Sequence, residues 1–161
     1  MKVYFAADHG GFLMKGALID YVRGLGYEVE DCGALTYDKD DDYPDVIRPC
    51  AEKVASDPGS FGIIGGGSGN GEAMAANRVR GARAAVFHGR VHAAEAIDIT
   101  GAKGSEDGLD IVRLARKHND ANVLSLGFRF LTEEDAKAAV REFLTTPFEG
   151  GRHERRVAKL G

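Results

Sequence analysis

No stretch of this 161-residue chain stays apolar over the roughly 20 residues that a bilayer crossing needs, so a membrane span is not expected. Cysteine is scarce. Cys32 and Cys50 are the only two, they lie far apart in the chain, and they do not form a Cys-x-x-Cys pair. They predict reduced thiols with packing roles in a cytoplasmic protein. Positive charge is not in excess: the formal net charge is −4, which argues against nucleic acid as the main partner. The apolar run Val3-Tyr4-Phe5-Ala6-Ala7 begins almost at once, with no charged and apolar leader before it, so no signal peptide is expected. Internal repeats and low-complexity linkers are also absent.

What is present fits a single soluble domain. Hydrophobic residues make up 43% and charged residues 29%, and this length can close one sizeable core. Val3 to Ala7 reads as a strand buried on both faces, ending in the polar turn Asp8-His9-Gly10-Gly11. Leu13, Ala17, Leu18, Tyr21, Val22 and Leu25 recur at helical spacing, and Gly24 and Gly26 stop that helix. Tyr27 to Cys32 is a second strand. Asp38 to Asp42 reads as a solvated acidic loop. Pro44 opens a second helix, with Val46, Ile47, Cys50, Ala51 and Val54 as its apolar stripe. Phe61 to Ile64 is a third strand and Ala82 to Phe87 a fourth. Val91 to Ile99 is read as helical, Thr100 to Gly108 as a loop, and Leu109 to Lys117 as a helix. Asn122 to Leu126 is a fifth strand. Thr132 and Asp135 have capping-box spacing, and Pro147 ends the helix that they open. Strands alternating with helices predict parallel pairing by right-handed crossovers. The expected fold is α/β: a single-domain, three-layer αβα arrangement with a five-stranded parallel, Rossmann-like sheet.

The stretch Gly65-Gly66-Gly67-Ser68-Gly69-Asn70-Gly71-Glu72 joins the third strand to a helix. Five glycines within seven residues pack no core, but they let backbone N–H groups approach a ligand closely. A glycine loop before a helix N-terminus is a ready anion or oxyanion site. Glu72, just inside that helix, is either a base beside the site or a first-turn residue complementing the helix dipole. In an open α/β sheet, ligands bind beyond the carboxyl ends of the strands, where both Asp8-His9 and this loop fall. The chain lacks Gly-x-Gly-x-x-Gly after its first strand, which argues against a dinucleotide oxidoreductase. A non-catalytic phosphate- or nucleotide-binding module stays open on the loop alone.

Five segments, in order, carry a wider resemblance. They are Asp8-His9-Gly10-Gly11-Phe12, Asp42-Tyr43-Pro44-Asp45, the glycine loop continued through Ala75-Ala76-Asn77 to Gly81-Ala82-Arg83-Ala84, His118 to Leu124, and Gly150-Gly151-Arg152-His153. Together they span nearly the whole chain, which is similar to the ribose-5-phosphate isomerase B family, galactose-6-phosphate isomerase subunits included. The resemblance implies aldose–ketose isomerisation of a sugar phosphate without metal or cofactor. Ribose 5-phosphate is the default substrate, with allose or galactose 6-phosphate or erythrulose phosphate as alternatives. It implies Glu72 as the base. In another branch of the family a cysteine serves, at the position that is Gly66 here.

By the same likeness His118 opens the sugar ring and Asp8 assists. Gly67, Ser68, Gly69, Asn70 and Gly71 hold the sugar's oxygens, Asn119 its hydroxyls, and Tyr43 lines the site. His9, Arg129, Arg152 and Arg156 take the phosphate, arginine forks matching phosphate oxygens. Rival readings make Asp8 and His9 helix caps, His118 a helix C-terminal charge, and Arg152 and Arg156 a surface basic cluster. Arg155 reads as a solvated charge. His88 and His92 stand at i, i+4, which can hold zinc, but no third ligand is evident and a surface pair is expected. The resemblance also implies a homodimer or larger homo-oligomer with shared sites, the arginine tail crossing between subunits. Residues 1–161 form one isomerase domain. About 97–110 is an unusual insertion, read either as a tolerated surface loop or as a lid.

Overall fold

Successive residues of a strand face opposite sides of its sheet, and both sides of this sheet are covered. The structure, a computed structural model, describes residues 1–160. Its strands are β1 (Lys2–Ala7), β2 (Glu28–Asp31), β3 (Phe61–Gly66), β4 (Ala84–Phe87) and β5 (Val123–Gly127). All pair in parallel, in the order β2-β1-β3-β5-β4. Val3, Phe5, Ile63, Leu124 and Leu126 face one side. There they meet α1 (Phe12–Gly24), α4 (Asp110–Asn119) and α5 (Glu133–Thr145) in one buried cluster. Tyr4, Ala6, Ile64 and Val123 face the other, against α2 (Tyr43–Ser56) and α3 (Asn70–Ala76). This is the three-layer α/β arrangement that the strand–helix alternation predicts. Burying the Phe143 side chain, fully enclosed on the first side, stabilises by about 3–5 kcal/mol as judged from truncation costs.

Local signals set several boundaries. Thr132 Oγ1 accepts the Asp135 N–H at 3.1 Å and caps α5, as its spacing predicts. Asn77 receives the N–H of Ala84 at 2.8 Å and donates to its carbonyl at 3.0 Å, which fixes where β4 starts. Cys32 and Cys50 are free thiols, and the fold brings them together, Cys32 packing on the cluster that holds Cys50. Gly151–His153 forms a short 3-10 turn, followed by α6 (Glu154–Val157).

The β4–α4 connection corrects the sequence reading. No helix forms over Val91–Ile99; residues 88–109 are bends and irregular chain. Two causes are visible. Asp98 Oδ1 takes the N–H groups of Thr100 and Ala102 at 2.8 and 3.3 Å, an arrangement that competes with helical bonding. Gly89, Gly101 and Gly108 also adopt positive φ. The connection is moored at both ends. Arg90 bonds Asp135 at 2.6 Å and the carbonyl of Asp107 at 2.7 Å. Arg113 gathers Asp107, Ser105, Asp110 and Glu142.

Candidate active site

Ala7 at the end of β1 pairs with Gly65 near the end of β3, so Asp8 and the glycine loop share the carboxyl edge of the sheet. Glu72 lies in the first turn of α3 and is 4% exposed. Its side chain folds back along the loop: a Cβ at Gly66 would overlap the Glu72 carboxylate and come within 3.0 Å of Asp8 Oδ1. Burial holds the Glu72 carboxyl above the usual carboxylate range, and the charge of Asp8 adds to this. Burial raises Asp8 as well, opposed by His9 and by the N–H groups of Gly10 and Gly11. Two carboxyls with raised pKa in one desolvated recess are candidates for proton transfer.

The loop is held from behind. Gly69 takes a left-handed conformation, φ 75°, which glycine adopts without strain. Its carbonyl accepts the hydroxyl of fully buried Ser125 at 2.6 Å. The Ser68 carbonyl pairs with His88 Nε2 at 2.8 Å. These bonds orient the peptide planes on either side of Gly69, turning the Gly69 and Asn70 N–H groups the opposite way. Ser68 Oγ in turn accepts the Asn70 N–H at 3.3 Å. Tyr43 packs its ring on Gly71, and Arg129 lays its side chain on Gly67 while donating its backbone N–H to the Gly67 carbonyl at 3.1 Å. His9 Nδ1 is 2.6 Å from Asp41 Oδ1. The edge therefore assembles Asp8, His9, Tyr43, Gly67 to Gly71, Glu72 and Arg129.

The remaining candidates gather elsewhere. His118 and Asn119 end α4, ahead of β5. The His118 ring stacks on His153 at 4.2 Å between centroids, 7° from parallel, and Glu149 lies 3.9 Å from His118 Nε2. Burial, with His118, Arg152 and Arg156 nearby, lowers the His153 pKa. Arg152 and Arg156 are exposed on the tail that carries His153, and Arg156 donates to the Arg152 carbonyl at 3.2 Å.

Four contributors escaped the sequence reading: Asp41, Ser125, His88 and His153. Asp41 belongs to an acidic run that reads as solvated, yet it is bonded to His9. His88 and His92 are both exposed, but the segment between them is not helical and His88 braces the loop. Among the described residues, two side-chain groups place metal-ligand atoms within 4.8 Å of one another: Asp8, His9 and Asp41, and His118, Glu149 and His153.

A family profile described as Ribose/Galactose Isomerase matches residues 3–103 and 108–160. The chain belongs to this family. It is an aldose–ketose isomerase. It is 42% identical over 158 residues to "Ribose-5-phosphate isomerase B" of Mycobacterium tuberculosis, covering 98% of this chain and 86% of that protein. The structure is similar to that of ribose-5-phosphate isomerase B from Mycoplasma genitalium with bound ribulose-5-phosphate. There the TM-score is 0.84 at 34% identity, over 99% of this chain and 93% of the other. The enzyme from Thermotoga maritima gives 0.82 at 39% identity, over 99% and 96%.

In this isomerase the two groups of candidates sit at opposite edges of one parallel sheet. Gly62 pairs with Val123 and Gly66 with Gly127, so β3 and β5 begin and end together. Five strand residues span about 16 Å, which separates His118 from Glu72 within a chain. Among the described residues, no helix is long and apolar enough to cross a membrane.

Proposed function

We propose that the protein interconverts ribose 5-phosphate and ribulose 5-phosphate in the cytoplasm, without a cofactor, at sites shared between two copies of the chain. Glu72 takes the proton from the carbon beside the carbonyl. The electron pair moves into an enediolate, whose oxygens receive N–H groups of Gly67 to Gly71. Each well-aimed donor is worth roughly 3 kcal/mol to a developing oxyanion. The same carboxyl returns the proton to the neighbouring carbon while the hydroxyl proton passes from one enediolate oxygen to the other, so nothing is consumed. Asp8 assists at the ring oxygens and Tyr43 walls the site. A second copy supplies His118, which opens the ring, and Asn119, which binds hydroxyls. His9, Arg129, Arg152 and Arg156 hold the phosphate, the last two from the second copy.

The observation that carries this reading is the buried Glu72 carboxyl folded along the glycine loop beside Asp8. The shared site is supported by topology: one chain leaves His118, Asn119, Arg152 and Arg156 at the wrong edge, and an oppositely oriented second copy brings them across. The test is turnover of ribose 5-phosphate, allose 6-phosphate, galactose 6-phosphate and erythrulose phosphate with chelator present. Ribose 5-phosphate should be the best substrate, and Glu72→Gln should lower kcat by about 10²–10⁴. Full activity in Glu72→Gln defeats the base assignment. Preferred turnover of another of these sugars replaces the substrate.

A further inference from the structure

In the acidic stretch before α2, Asp38, Asp40 and Asp42 are exposed, while the Asp41 side chain is only 14% exposed. Asp41 Oδ1 receives two donors from a single residue: the backbone N–H of His9 at 3.1 Å and His9 Nδ1 at 2.6 Å. Asp41 Oδ2 is buried with no hydrogen-bond partner among the described residues. A half-buried carboxylate that spends one oxygen on both the main chain and the ring of one histidine fixes that residue's backbone, ring plane and tautomer together. The proton must sit on Nδ1, and Nε2 is the nitrogen left for another partner. His9 keeps a third of its side chain exposed, with Arg129 close enough to oppose its charge.

We propose that Asp41 is a positioning residue for the phosphate end of the site, holding His9 through Nδ1 so that Nε2–H is presented to a phosphoryl oxygen beside Arg129. This rests on the reading of His9 and Arg129 as phosphate ligands. The charged groups facing His9 are Asp41 from the loop before α2, Asp8 from the end of β1, and Arg129 from the turn after β5; Glu72 on α3 faces Asp8. The hydrogen bond to Asp41 is the main cause that raises the His9 pKa, with Asp8 adding to it and Arg129 opposing it. A ring held cationic to higher pH keeps a charged donor for a phosphate dianion under conditions where free imidazole has lost its proton.

The test compares wild type with Asp41→Asn, which keeps the shape and one acceptor but removes the charge, and with His9→Gln as a second variant. Two quantities are measured: the His9 Cε1–H shift against pH by NMR, and inorganic phosphate binding by calorimetry at pH 6 and pH 8. In Asp41→Asn, His9 should titrate at lower pH. Phosphate should bind about tenfold more weakly at pH 8, about what one lost charge-assisted hydrogen bond is worth, and within about twofold of wild type at pH 6. His9→Gln should weaken binding at both pH values, and adding Asp41→Asn to it should change little more. Unchanged His9 titration, or an equal loss of phosphate affinity at both pH values, overturns the role given to Asp41. A shifted titration with unchanged phosphate affinity removes His9 from the phosphate site and leaves the pair itself standing.

Discussion

Gly66 and Glu72 compete for one volume: a side chain at position 66 has to occupy the place where the Glu72 carboxylate rests. This is also the position at which the other branch of the family is expected to carry its cysteine, so the proposed glutamate base would act from the same spot, reached from a different point in the chain. Gly66→Ala should therefore displace the carboxylate without touching the hydrophobic clusters. The expected result is a kcat/KM lowered by about a hundredfold or more, the sensitivity known for slightly misplaced groups, with the melting temperature moving far less than the activity. Wild-type kinetics in Gly66→Ala would mean that the carboxylate does its work from some other position.

Burial is the main cause that raises the Glu72 pKa, with Asp8 second, and this fixes the sign of two pH effects. A base acts only when deprotonated, so activity should fall as pH drops through the raised value, above the ordinary glutamate pKa of about 4.3. Removing the neighbouring charge with Asp8→Asn should move that acid limb to lower pH. For stability, the native state binds the Glu72 proton at higher pH than the unfolded chain does. Stability therefore falls as pH rises from the unfolded value through the folded one. Glu72→Gln removes the ionised, desolvated carboxylate, so it should melt higher than wild type at pH 7–8 and lose that advantage near pH 4. Thermal melts across this range check it, and an equal shift at every pH would exclude desolvation as the cause.

Ser125 is fully buried, and among the described residues its hydroxyl is the one side-chain partner of the Gly69 carbonyl. Ser125→Ala removes one of the two hydrogen bonds that the Gly69 carbonyl accepts, leaving the Ala73 N–H at 3.0 Å, at a cost of about 0.5–1.5 kcal/mol, which in a domain of this size lowers Tm by roughly 2–4 °C per kcal/mol. Loosening the peptide planes around Gly69 should also lower kcat more than it raises KM, because the loop amides would serve the enediolate more than the bound sugar. Ser125→Thr keeps the hydroxyl and should recover part of the loss if the added methyl is accommodated. A loss of stability with unchanged kcat would make Ser125 purely structural.

The long β4–α4 connection can be shortened at a defined place. A Cβ on Gly104 would lie 3.0 Å from Ala93 Cβ, so the chain already returns on itself there. The moorings at Arg90, Ser105 and Asp107 lie outside residues 94–103. We propose that this part of the connection, which includes the start of the insertion at about 97–110, is a tolerated surface loop. Excising residues 94–103 and joining Ala93 to Gly104 should leave Tm within a few degrees and ribose 5-phosphate turnover within about twofold, since loop-closure entropy changes slowly with length. A large change in kcat/KM that differs between five- and six-carbon sugar phosphates would instead make the segment a wall or lid of the site.

Much of this architecture is legible in local pattern. Val3 to Ala7 announces a strand buried on both faces, Thr132 and Asp135 announce a helix start, and the glycine loop announces the turn from β3 into α3. Three things are not legible, the first two because they depend on contacts distant in sequence and the third because local side-chain and glycine effects override composition. Asp41 looks like one more solvated acid until the fold sets it against His9, 32 residues away. Ser125 looks like a polar interruption in an apolar strand until its hydroxyl meets the carbonyl of Gly69. Val91 to Ile99 has helix-forming composition, but the flanking glycines and the Asp98 side chain satisfy the backbone in another way. The separation of His118 from Glu72 is likewise a property of strand direction, invisible until the parallel register is known.

That separation gives the sharpest test of a shared site. In the proposed homodimer Glu72→Gln and His118→Asn each disable a different half of the site, so each variant alone should be nearly inactive. If every site draws Glu72 from one copy and His118 from the other, a mixed dimer contains one site with both defects and one with neither. Unfolding the two variants together in equal amounts and refolding them should produce mixed dimers as half of the population, and about a quarter of wild-type activity should return if pairing is random and the interface is a two-fold one. Mixing the folded homodimers without exchange should return none. Failure to recover activity, with mixed dimers demonstrated by mass, would place Glu72 and His118 in sites that do not communicate and would remove the second copy from the chemistry.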